Sequence, residues 1–296
     1  MKTYARTALV TLILCCLLPA PAAQAAGRGE CLSLRSRTLA ETVAYCVLLP
    51  PGYDEDKARR FPVLYFLHGL GDNEQMFFRS GGWNLIQQLW ERHELGEFII
   101  VTPRAGSSFY LNSRDGQYRY EDFLLREFLP LIENRYRIRA GRAFRGVAGI
   151  SMGGYGALRL AFRRPDLFGA VATHSAAVVA EPPAVEAGSG ARGRLRLFAE
   201  VFGSPVDRPF WDRNNPLALA RTGGLAGLKI YFDCGTQDEY GFDAGAQALH
   251  NLLVSRRVAH EFHLYPGGHN WLYFAQYLPA SLGFQARAFG LDSASR

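Results

Sequence analysis

A serine set among glycines, between an apolar run and a helical run, constrains this chain more than any other stretch. The run is Gly149-Ile150-Ser151-Met152-Gly153-Gly154; Phe144 to Ile150 precede it and Ala157 to Arg164 follow. A serine at a sharp strand-to-helix turn is pushed outward, where a base and a substrate can both reach it. Gly149 and Gly153 remove side chains where strand and helix nearly touch. The string alone is a weak signal, because most such strings are turns. The strand-turn-helix setting makes Ser151 the candidate nucleophile and calls for an acid and a histidine downstream.

The first residues bear on where the chain works. Lys2 and Arg6 precede an apolar run from Ala8 to Leu18, followed by Pro19-Ala20-Pro21 and the small residues Ala22 to Ala26. That is the three-part pattern of a secretory signal peptide, and cleavage after Ala25 is expected, giving a secreted or periplasmic protein. The apolar run is short for a membrane span of about 20 residues, and no stable membrane insertion is expected. Bulky residues at Leu12 to Leu14 argue against lipidation of Cys15 or Cys16.

Residues 26–296, about 270 in number, fit one α/β domain. The formal charge of +6 falls to about +4 once Lys2 and Arg6 leave. The remaining basic residues are dispersed, as in Arg59, Arg60, Arg163, Arg164, Arg256 and Arg257, with no aromatic-interleaved stripe. Nucleic-acid binding is therefore not expected. Cys31 and Cys46 lie in two strand-like runs joined by a turn, and an oxidising compartment would permit their pairing. Cys234 would then be unpaired and buried near a strand end. No Cys/His spacing fits a zinc cluster, so no metal is expected.

Short apolar strands alternate with helical spacing along the chain. Strands are expected over Cys31 to Leu49 (a hairpin), Phe61 to Leu67, Phe98 to Val101, Phe144 to Ile150, Phe168 to Val178, Leu228 to Phe232 and Glu261 to Tyr265. Trp83, Ile86, Leu89 and Trp90 keep helical spacing, as do Ala244 to Val254 and Trp271 to Leu278. Tyr120 to Arg137 reads as an amphipathic helix that Pro130 should kink or end near Leu129. The order predicts a mostly parallel central sheet with helices on both faces. Arg104 to Tyr118 is a loop long enough to shape a cleft, with Phe109 and Tyr110 as candidate substrate-binding wall residues. Residues 181–222, rich in proline, read as a small cap-like insertion too short to bury a core of its own.

Ser151, an acid after the Leu228 strand and His269 in a glycine-rich loop follow in the order nucleophile, acid, base. All three come just after strands, where ligands bind in parallel sheets. Asp238 is preferred as the acid because it stands out in the loop, whereas Asp233 lies close enough to the strand to turn inward or to fix the loop. Glu239 ranks third. Among the other histidines, His68 is expected to hold the His68-Gly69-Leu70-Gly71-Asp72 loop and His174 to sit near the cleft rim. His93, His250, His260 and His263 read as structural or solvated.

These residues resemble the putative-esterase family of α/β-hydrolases, which includes feruloyl and acetylxylan esterases, S-formylglutathione hydrolase and mycolyltransferases. The resemblance rests on Leu49-Pro50-Pro51-Gly52-Tyr53, the His68 to Asp72 loop, Ala148 to Leu158, Phe232-Asp233-Cys234-Gly235 with Asp238, and Gly268-His269-Asn270-Trp271. It implies an α/β-hydrolase fold, the triad Ser151, Asp238 and His269, and an oxyanion hole made by the amides of Leu70 and Met152. It implies a serine carboxylic-ester hydrolase that needs no cofactor and acts on short-chain or carbohydrate-linked acetyl or feruloyl esters. Two alternatives remain at this point: an acyltransferase to a sugar or lipid acceptor with the same triad, and a non-catalytic carbohydrate or cell-wall binding protein on the same scaffold.

Overall fold

A computed structural model describes residues 26–182 and 198–291. Residues 1–25, where a signal peptide is expected, residues 183–197 of the insertion and the last five residues lie outside the described part. One eight-stranded sheet runs through the molecule in the order β1-β2-β4-β3-β5-β6-β7-β8. The strands are β1 Arg28–Arg35, β2 Thr42–Leu49, β3 Val63–Leu67, β4 Ile99–Pro103, β5 Arg145–Ile150, β6 Ala170–His174, β7 Lys229–Gly235 and β8 Glu261–Tyr265. From β4 to β8 every neighbouring pair is parallel; β2 runs antiparallel to β4, and β1 to β2. This is the expected α/β-hydrolase arrangement. Cys31 faces Cys46 across the β1–β2 ladder, and the two form a disulfide.

β3 and β4 are buried throughout, as strands covered on both faces must be. Successive side chains of β3 divide between two cores: Val63, Tyr65 and Leu67 join one, Leu64 and Phe66 the other. The first core is covered by the helices Met152–Arg163 and Phe242–Ser255. The second is covered by Gly82–Glu91 and Trp271–Ala288.

Several expected boundaries shift. β7 runs on to Gly235, so Asp233 and Cys234 belong to the strand. The last helix passes its own Pro279 and continues to Ala288. Pro130 neither ends nor breaks its helix. A π-helical turn at Leu124–Phe128 precedes it, and the helix resumes at Leu129–Arg135 with Pro130 in its first turn. The π-helical turn just before it lets the helix carry past a residue that has no N–H to donate.

The described part of the insertion joins the main core and forms no core of its own. Residues 198–202 are helical, and Arg208–Asn214 and Pro216–Thr222 are short helices begun by Asp207 and Asn215 side chains. Phe202, Trp211 and Leu217 are buried in the same cluster as the Met152–Arg163 helix.

Candidate active site

Ser151 has φ 56° and ψ −117°, a conformation few non-glycine residues adopt. Such strain costs about 1–3 kcal/mol and persists only where the surroundings enforce it. Here they do. The Ser151 amide donates to His174 O at 3.0 Å, and its carbonyl accepts from Tyr155 and Ala177, both at 2.9 Å. The glycines explain how the turn closes. A Cβ on Gly153 would lie 2.0 Å from Leu67 O, and one on Gly149 would lie 2.4 Å from the Gly153 carbonyl. Strand, helix and the end of β3 are in backbone contact at this point.

The same contact brings the β3 loop to the serine. A Cβ on Gly69 would stand 3.5 Å from Ser151 Cβ, so the loop backbone passes the nucleophile one residue before Leu70. The Leu70 side chain is exposed. Met152 opens its helix, so its amide is one of the first-turn donors that the helix leaves unused and lies at the positive end of the helix dipole. Behind the loop, His68 is buried. Ala105 N–H donates to His68 Nε2 at 3.0 Å, so Nδ1 carries the proton and donates to Gly69 O at 2.8 Å. Burial pushes the His68 imidazole pKa down, which keeps this bridge neutral.

On the loops that follow β7 and β8, His269 Nδ1 and Asp238 Oδ2 are 2.7 Å apart. With Nδ1–H on the carboxylate, Nε2 is the basic nitrogen of the ring. The imidazole is packed edge-on against Tyr240, Phe242 and Phe274, at centroid distances of 4.7, 5.4 and 5.4 Å. Burial pushes the Asp238 carboxyl up, but the hydrogen bond and charge of His269, the Tyr240 amide and the Ser175 hydroxyl outweigh it and hold the carboxyl below its ordinary value. Glu239 accepts the His269 backbone N–H at 2.7 Å.

Asp233 has a different place. It is buried under the sheet end and accepts from Tyr231 at 2.9 Å and Tyr273 at 2.6 Å. His174, expected near the cleft rim, is fully buried as well. Its Nε2 lies 2.7 Å from Ser281 Oγ, and its Nδ1 lies 2.8 Å from Asp233 Oδ2 but off the hydrogen-bonding angle. The correction follows from position: His174 is the last residue of β6, and its side chain points to the face covered by the Trp271–Ala288 helix.

Phe109 and Tyr110 also differ from expectation. Both have positive φ, 53° and 60°, and both rings are turned into the core. Phe109 packs on Tyr155, Phe198 and Phe202, and the Tyr110 hydroxyl donates to His68 O at 3.0 Å. They brace the insertion and the β3 loop from behind and do not form an open wall. The 104–118 segment does border a cavity of about 310 Å³, lined by Ser107, Ser108, Tyr118, Glu200 and Val201 among others. A larger groove, about 820 Å³, lies where β7 and β8 begin, at Lys229 and Glu261. It shares no residue with the Ser151 cluster.

Reading the sequence missed Ser175. It follows β6, has φ 41°, and lies 3.5 Å from the buried Cys234 thiol, which in turn is 3.6 Å from Asp238 Oδ2. The sequence reading carries this strand on to Val178, whereas β6 ends at His174 and leaves Ser175 just past it. Burial raises the Cys234 thiol pKa and keeps it protonated. Among the described residues no group of three His, Cys, Asp or Glu side chains could hold a metal ion, and no helix is long and apolar enough to cross a membrane.

The sequence profile of the family described as "Putative esterase" matches residues 36–284. The chain belongs to this esterase family. It is 30% identical over 247 residues to Esterase MT1326 of Mycobacterium tuberculosis, covering 75% of this chain and 51% of that protein. The chain thus spans about half the length of that relative. It is 24% identical over 277 residues to the S-formylglutathione hydrolase of Paracoccus denitrificans, covering 86% and 92% of the two chains. A solved ferulic acid esterase superposes with a TM-score of 0.76 at 29% identity, over 90% of this chain and 99% of that one.

Proposed function

We propose that the protein is a secreted or periplasmic serine esterase that cleaves short-chain or carbohydrate-linked esters, acetyl or feruloyl, through an acyl-enzyme on Ser151. The observation that carries the catalytic part is the 2.7 Å Asp238–His269 bond on the loops after β7 and β8, together with Ser151 held at φ 56° on the turn after β5 of the same parallel sheet. His269 Nε2 takes the Ser151 hydroxyl proton as Oγ attacks the ester carbonyl. The amides of Leu70 and Met152 receive the developing oxyanion; loss of one such donor costs roughly 3 kcal/mol of transition-state stabilisation. Asp238 keeps the proton on Nδ1 and stabilises the charged imidazolium. The tetrahedral intermediate collapses as His269 gives its proton to the leaving alcohol. Water then repeats the sequence in reverse, releasing the acid and restoring the serine.

The substrate class is supported by the likeness to a ferulic acid esterase. Export is supported by the signal-peptide pattern and by the Cys31–Cys46 disulfide, a bond that persists in oxidising compartments. A panel of p-nitrophenyl acetate, butyrate and ferulate tests the reading. Turnover is expected with the wild type and a loss of at least ~10⁴-fold with Ser151→Ala. Full turnover in that variant would remove the serine from the mechanism.

A further inference from the structure

The histidine loop contains Gly267 and Gly268 immediately before His269. Two consecutive glycines give a loop more freedom than most sequences do, and a catalytic base needs that freedom removed. The Asp238 bond alone is not enough: it fixes one ring nitrogen and leaves the loop backbone to be fixed by other groups.

Two further carboxylates lie against the loop from opposite sides. On the outer side the loops after β7 and β8 are joined edge to edge. Thr236 N–H donates to Tyr265 O at 2.8 Å, Gln237 N–H to Gly267 O at 2.9 Å, and His269 N–H to the Glu239 carboxylate at 2.7 Å. Glu239 also explains Gly268, since a Cβ there would lie 2.6 Å from Glu239 Oε1. On the inner side Tyr273 lies one helical turn after His269 and donates its hydroxyl to the buried Asp233 at 2.6 Å. The ring of Tyr273 abuts Gly267, where a Cβ would come within 2.7 Å of it, and Gly267 has φ 137°. Asn270 starts the helix by accepting from the Tyr273 amide at 3.1 Å. His269 is therefore held between a surface carboxylate on its own amide and a buried carboxylate acting through Tyr273.

We propose that Glu239 and the Asp233–Tyr273 pair are positioning residues that set the orientation of His269 toward Ser151, outside the Ser151–His269–Asp238 relay. The proposal rests on the serine-esterase reading above. Glu239 acts as a hydrogen-bond acceptor for the loop, and Asp233 as an anchor beneath it. Neither exchanges a proton with the substrate.

The full-length protein with p-nitrophenyl acetate provides the test. Glu239→Ala should lower kcat about tenfold with KM unchanged, because the base is misdirected while the acyl pocket is intact. Glu239→Gln keeps an acceptor oxygen and should restore most of the loss. Tyr273→Phe keeps the ring against Gly267 and removes only the bond to Asp233; a kcat loss of about threefold, again without a KM change, is expected. The His269 Nδ1 proton, followed by NMR in the same proteins, should shift or broaden in Glu239→Ala and Tyr273→Phe and return in Glu239→Gln. An unaltered kcat and an unaltered Nδ1 signal in Glu239→Ala overturn the proposal. Equal losses in Glu239→Ala and Glu239→Gln overturn the acceptor role of Glu239. Full activity in Ser151→Ala overturns the esterase reading instead, and the NMR signal still decides whether the loop is held in this way.

Discussion

The serine turn and the insertion that packs behind it are held by different forces. At the turn, the atoms a Cβ on Gly153 or Gly149 would meet belong to the backbone, of Leu67 and His68 in one case and of Gly153 and Leu67 in the other. Nothing there can rotate aside. In the insertion, the contacts are rings and side chains. Phe198, Phe202 and Trp211 pack on each other and on Tyr155, with centroids 4.4 to 6.3 Å apart. Arg159, almost fully buried, binds Asn214 Oδ1 at 2.7 Å and Glu121 at 2.7 Å. Side-chain packing tolerates exchange of one shape for another, whereas backbone contact does not. The serine turn is therefore held where nothing can adjust, and the insertion by side chains that can repack.

Gly153→Ala should break this contrast with the largest effect. No rotamer relieves its clash, and a destabilisation above about 4 kcal/mol is expected, read by urea unfolding and by loss of ester turnover. Trp211→Ala should cost about 3 kcal/mol of stability, because a large buried ring is removed. Turnover of p-nitrophenyl acetate should nevertheless survive at temperatures where the variant is folded; abolished turnover there would show that the insertion sets the chemistry too.

Asp238→Asn sharpens the comparison on the catalytic side. It should lower kcat about 10⁴-fold by allowing the wrong tautomer of His269. The sign of its pH effect is fixed as well. The folded Asp238 pKa lies below the unfolded one, so the native state binds fewer protons and the carboxylate stabilises the fold fully above about pH 4. That contribution is lost as pH falls through the lowered folded pKa. The urea midpoints of wild type and Asp238→Asn should accordingly converge on acidification and separate again above it.

The smallest effect is expected from Leu70→Ala. The exposed side chain is removed and the backbone amide, the proposed oxyanion donor, is kept, so kcat should change by less than about threefold. A loss of a hundredfold would assign the role to the leucine side chain.

Much of the fold was legible in the alternation of short apolar runs and helical spacing, because strands buried on both faces carry few polar residues. The strand boundaries were less so. β7 continues through Asp233, whose charge marks a strand end in the sequence. The hydroxyls of Tyr231 and Tyr273, the latter 40 residues away, help to make its burial tolerable. Pro130 was misleading for a similar reason: a local rule ends the helix, and a π-helical turn that leaves no trace in the apolar spacing carries it past. Phe109 and Tyr110 look like wall residues in a polar loop. Two successive residues at positive φ turn them inward, and nothing in the identity of an aromatic residue announces that.

What the sequence determined by itself was the chemistry and its order along the chain: a serine where glycines permit a sharp turn, an acid past β7 and a histidine past β8. These follow from local rules, since a turn that needs bare backbone must be written in glycine. Tertiary structure decided which acid meets the histidine and what holds the loop that carries it. Asp238, Glu239 and Asp233 differ little as letters within one short segment. They differ in what they face: the imidazole, a backbone amide and a buried tyrosine pair. Those facings arise when β7 and β8 lie side by side, because His269 and Tyr273, which meet these carboxylates, come from the part of the chain after β8.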